Sequence, residues 1–254
     1  MNMLYLQETH AFAQQNQNQS MLAIILKELR SYARSRKYLR LHFLTLSVLT
    51  LLLFVATVEF YAQSRTGAAV DVGKQTYTLF IVALFLTQFF VPRHAVEALH
   101  SEATNGALLR LTPLSNWHIL AGKLSAVVFW ELWRIWLTVP LLALSSYIGG
   151  FALPQLLKCG AVLIMSCLLF AQTGISFACW HLPIRAKSIS YGVVLLITFL
   201  PLIPNAPAML EAMSPLCALL SILRSEPTQL WVWHVALSCV LSVLLFCVSA
   251  MRNA

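Results

Sequence analysis

The sequence predicts an all-α integral membrane protein. The expected parts are six transmembrane helices, a basic N-terminal interfacial helix, a short helix outside the membrane between spans two and three, and a re-entrant element before span six. Three observations carry this reading. Hydrophobic residues make up 59% of the 254 residues and charged residues only 10%, far from the balance of soluble domains. Six apolar runs approach the roughly 20 residues that a helix needs to cross a bilayer. The cations, finally, collect on alternate connections.

In chain order, residues 1–20 are Gln/Asn-rich, lack the basic-then-apolar pattern of a secretory signal and read as a disordered tail. Residues 21–254 read as a single membrane domain. "MLAIILKELRSYARSRKYLRL" (21–41) places Leu22, Ile25, Leu26 and Leu29 at helical spacing, followed by cations. That pattern suits a helix on the membrane surface whose Lys27, Arg30 and Arg34 meet anionic lipid headgroups. A charged flank of the first span is the alternative.

The spans are expected near 41–62, 76–96, 118–148, 155–180, 188–204 and 230–251. The third exceeds a bilayer's needs, so it tilts or projects. The fifth is short, and Pro201, Pro204 and Pro207 break its end. "PNAPAMLEAMSPLCALLSILRSEPTQ" (204–229) is apolar yet broken by prolines. Short helices dipping into the outer leaflet fit it, because irregular backbone at that depth must be sheltered by protein.

Six cations precede the first span, Lys27, Arg30, Arg34, Arg36, Lys37 and Arg40, against Glu28 alone. With that end inside, twelve cations fall on the cytoplasmic side and four outside, leaving Arg134 within a span. Both termini are therefore expected in the cytoplasm. This topology also accounts for the net charge of +8, and no motif points to nucleic acid. The six cysteines include no CxxC and lie mostly in apolar runs, so neither a metal site nor a disulfide framework is suggested.

"EATNGALLRLTPLSNWHILAGKL" (102–124) is neither apolar enough to span nor polar enough to be a plain linker. Ala98, Leu99, Ala103, Ala107, Leu108 and Leu111 can share one helical flank, with Glu97, His100, Glu102, Asn105 and Arg110 elsewhere on the helix. Pro113 ends it by pushing Thr112 out of helical geometry, and Ser115 suits an N-cap for a new helix. His94, His100 and His181 read as surface or capping residues. Glu131 and Arg134, three apart within "FWELWRIW", can pair on one face of span three. Charges at that depth need a partner or water. The pair is either structural, at a helix or subunit interface, or a polar spot on a substrate path.

The order "LKELRSYARSRK" (26–37), "EATNGALLRLTPLSNWHILAGKL" (102–124) and "MSPLCALL" (213–220) resembles the ABC-2 type family of ABC transporter permeases. The likeness is strongest at Thr112–Ser115 with Gly122 and Lys123. The sequence departs from the family in its sparse acidic lead, "SEATNG", and in Ala107 where Thr is usual after Gly106.

The resemblance implies a cytoplasmic coupling helix between spans two and three that docks into a separate ATP-binding cassette ATPase. Glu97, Glu102, Gly106, Arg110, Thr112 and Pro113 would form the contact. It also implies a second permease subunit, identical or different, and a place in the bacterial cytoplasmic (inner) membrane. No GxxxxGK[ST] occurs, since Gly122-Lys123 is followed by Leu124. The chain is accordingly read as a transport subunit and not an enzyme, without its own ATP site or cofactor, with ATP and Mg bound by the partner. Two other readings fit the same layout: the membrane subunit of a cytochrome-c haem-exporter assembly, and a non-transporting scaffold for an ATPase.

Overall fold

The computed structural model describes residues 21–63, 69–100, 116–149, 152–180, 183–203, 207–226 and 229–252. Every regular element among them is a helix. Six are long and apolar enough to cross a bilayer, over Arg36–Ala62, Lys74–His100, Trp117–Ser145, Leu153–Trp180, Ile184–Leu202 and Leu230–Arg252. These match the six expected spans, with shifted ends.

Helix α1 covers 21–34 and α2 covers Arg36–Gln63. The basic helix expected over 21–41 is thus divided at Ser35. Only half of its apolar stripe lies on the face that packs. Ile24, Glu28 and Tyr32 are buried, Ile25 and Leu29 lean on the core, and Leu22 and Leu26 are exposed. Four-residue spacing keeps the buried three in line, as one face of a helix requires. In α2, burial recurs at Tyr38, His42, Thr45, Leu49, Leu53 and Ala56, while Phe43, Leu44, Leu51, Phe54 and Val58 face outward. A large apolar surface turned away from the protein is what lipid demands.

The second span is made of two helices. Helix α3 (Ala69–Leu86) leads through a 3-10 segment, Thr87–Phe90, into α4 (Val91–His100). Pro92 has no N–H for the Gln88 carbonyl, which takes the Val91 N–H instead, and the helix tightens there. The Gln88 side chain, fully buried, donates to the Leu163 carbonyl at 3.0 Å. The span ends at His100, four residues beyond the expected 96, so Glu97 belongs to its last turns.

Helix α5 (Asn116–Gly149) runs 34 residues, ~51 Å at 1.5 Å per residue, against ~30 Å of hydrocarbon. It begins at Asn116, as the sequence predicts. Helix α6 (Leu153–Trp180) is the most buried span and lies at the centre, against α4, α5 and three of the four helices that follow. Gly174 lets α4 approach: a Cβ there would stand 2.5 Å from the Pro92 carbonyl oxygen and 2.8 Å from the Ala95 Cβ. Helix α7 (Pro183–Phe199) starts five residues before the expected 188, opened by a proline whose fixed φ suits a first turn. Arg185 and Lys187 therefore lie on a helix.

The proline-broken stretch holds two short helices, α8 (Ala208–Met213) and α9 (Pro215–Leu223); both pack on the last helix, α10 (Leu230–Arg252), and α9 also packs on α6. Ser214 caps α9 by accepting the Cys217 N–H at 3.3 Å while donating to the Thr198 carbonyl at 2.8 Å. At the other end, Ser225 takes a left-handed φ of 56°. Its N–H bonds Ile222 and the Glu226 N–H bonds Ser221, the paired closure of a Schellman turn.

Candidate functional site

Polar chemistry concentrates around α4, the ten residues that end span two. Three groups of contacts fix it, on three sides.

The first is buried. Glu131 on α5 lies in an ion pair with the Arg134 Nη2 through one carboxylate oxygen and meets the His94 Nδ1 of α4 through the other, each at 2.7 Å. The three residues are 0%, 2% and 4% exposed respectively. A carboxylate facing a guanidinium only accepts, so His94 carries its proton on Nδ1. Arg134 also donates to the Thr87 carbonyl at 3.1 Å, in the 3-10 segment. Charges taken out of water this far are tolerable only when neutralised by close partners.

Around this centre stand rings. His42 stacks on Trp130 with centroids 4.9 Å apart, Tyr38 meets His94 edge-on at 4.7 Å, and Tyr32 meets Tyr38 at 4.9 Å. Burial, with lesser contributions from Tyr38 and Glu28, pushes the Tyr32 phenol above its ordinary range, so its hydroxyl stays protonated. Among the described residues, neither nitrogen of His42 nor Nε and Nη1 of Arg134 has a hydrogen-bond partner.

The second group lies one turn along α4. Glu97 accepts from Lys37 Nζ at 2.8 Å, Arg93 Nε at 2.9 Å, Lys187 Nζ at 3.0 Å and the Tyr38 hydroxyl at 3.2 Å. One carboxylate thus gathers α2, α4 and α7 at what we term the basic end of the bundle.

The third group holds the last turn. Lys123 on α5 is buried and donates to the Ala98 carbonyl at 2.7 Å, placing a cation at the negative end of the α4 dipole. One residue earlier, Gly122 admits α1, since a Cβ there would lie 3.1 Å from Ile24 Cγ2. Gly122 and Lys123 therefore sit where α1, α4 and α5 meet.

The i, i+3 pairing of Glu131 with Arg134 appears as the sequence predicts. His94, expected at the surface, is instead buried as the third member. Its partner lies 37 residues away on another helix, a relation no local pattern reveals. Glu97 is engaged by its own chain. Glu102, Gly106, Arg110, Thr112, Pro113 and His181 lie outside the described residues. Lys27, Arg30 and Arg34 line an open groove along α1, away from the charge centre. Trp130 is packed inside while Trp133 and Trp136 are exposed. The described residues hold no group of three or more His, Cys, Asp or Glu suited to a metal ion.

Six bilayer-length helices around a charge centre define the class: a multi-pass helical membrane protein with polar groups within its spans. Comparison of the chain with protein families, with curated proteins and with solved structures gives no match.

Proposed function

We propose that this chain is the membrane-spanning permease subunit of an ABC-2 type exporter, driven by a separate ATP-binding cassette ATPase. In this reading residues 101–115 are the coupling segment. A second permease subunit completes the path, the termini face the cytoplasm of a bacterial inner membrane, and α8 with α9 forms the re-entrant element. The observation that supports it best is the clamping of α4. The helix that leads into 101–115 is tied to α2 and α7 through Glu97, and to α5 through His94 and Lys123. A push on that segment would be passed to three spans at once, as a shift between discrete packings. The pairing of Glu131 with Arg134 and His94 favours a structural role over a place on the substrate path.

The test is co-purification of the tagged full-length chain with its ATPase from membranes. Exchanging Glu102 and Arg110 together for alanine is expected to lower ATPase recovery at least tenfold while the permease stays folded. Undiminished recovery and unchanged ATP turnover in that variant would sink the proposal.

A further inference from the structure

Between α2 and α4, at the basic end, lies a groove of about 440 Å³. We infer that it is a binding site for one anionic phospholipid. The phosphate would be held by Lys37, Arg40 and Arg93, and an acyl chain would lie along Leu41, Leu44 and Phe90. All six residues line the groove.

Charge supports the head. Lys37, Arg40, Arg93 and Lys187 bring four cations to this corner, and Glu97 is the carboxylate that joins three of them, a surplus of three. Arg40 forms no ion pair with any described residue. A phosphate ester answers such a set, and guanidinium groups bind it through paired N–H donors.

The apolar wall favours a lipid over a soluble anion. On α2 no charged residue follows Arg40 until Glu59. Leu44, one turn further on, is ~6 Å along the axis. Leu44 and Phe90 are both exposed. Tyr38 against His94 closes the groove floor, directly over the buried charge centre. The site thus has a cationic rim and an oily wall, in the order a phospholipid presents head and tail. It is separate from the basic outer face of α1, and it rests on the six spans and not on the exporter reading. Changes at Glu102 and Arg110 leave it intact.

The experiment extracts the full-length chain from bilayers of equal phosphatidylglycerol and phosphatidylcholine and counts retained lipids by native mass spectrometry. Phosphatidylglycerol should be retained in preference. Arg40→Gln should lower that preference about fivefold, the effect of one cation near an anionic headgroup. Arg224→Gln, in the exposed ion pair with Glu226 and outside the groove, should leave it unchanged. Leu44→Trp, which fills the wall without touching a charge, should also reduce retention, and Arg40→Lys should keep most of it. These last two decide the matter should Arg40→Gln not fold. Equal retention of the two lipids would overturn the inference, as would an Arg40→Gln protein with unaltered preference. Displacement of the lipid by millimolar glycerol phosphate would overturn it in favour of a soluble anion, and displacement by a poly-glutamate peptide in favour of an acidic protein partner.

Discussion

Two carboxylates are bound to the same short helix, and they behave as opposites. Glu131 is fully buried and holds one guanidinium and one imidazole; Glu97, three residues past that imidazole, is partly in contact with solvent and holds two lysines and an arginine. Counting partners would rank Glu97 as the stronger anchor. Environment ranks them the other way. Removing one member of a buried pair strands the other charge, whereas exposed pairs are weakened by water, salt and side-chain entropy.

The largest effect expected from this contrast follows Glu131→Gln, which leaves Arg134 buried opposite a neutral amide. A loss of ~3–5 kcal/mol is expected, read as a large drop in the thermal unfolding temperature of the purified protein. Replacing Glu131 and Arg134 together by leucine should recover most of that loss. A double variant as unstable as the single one would mean that the pair supplies something beyond mutual neutralisation.

Next comes Gly174→Ala, which probes how tightly α4 is seated on α6. With backbone 2.5 Å from the new methyl, the helices must separate, at ~1–3 kcal/mol. Gly192→Ala, where no atom lies within 4 Å, serves as the control and should show no loss. Equal behaviour of the two glycines would show that α4 moves freely against α6.

The smallest effect is expected for Glu97→Gln, ~1 kcal/mol or less, and shrinking further in 0.5 M salt. Salt should not diminish the cost of Glu131→Gln. If Glu97→Gln proved as damaging as Glu131→Gln, the contrast between the two carboxylates would collapse.

Much of the architecture was legible in the sequence because lipid imposes length and composition on each span separately. All six spans, the start of α5 at Asn116 and the local pairing of Glu131 with Arg134 follow from spacing within one segment. What escaped depends on another segment. His94 reads as polar in isolation and is buried because Glu131 is there to receive it. Span two extends through Glu97 because cations from α2 and α7 neutralise that residue. Ser35 divides α1 from α2, and the packed face of α1 follows Ile24, Glu28 and Tyr32, because the neighbouring helices select the buried face. Lys123 reads in the sequence only as half of a Gly-Lys pair; its bond to a backbone carbonyl of α4 has no signature in composition.

The partners of Glu97 also carry a chronology. Lys37 and Arg93 precede it in the chain, and Lys187 follows by ninety residues. As the polypeptide leaves the ribosome from its N-terminus, this carboxylate emerges with two positive neighbours already made. Both are therefore available to pair with the acid before α7 is made. Only the contact with Lys187 must wait for α7.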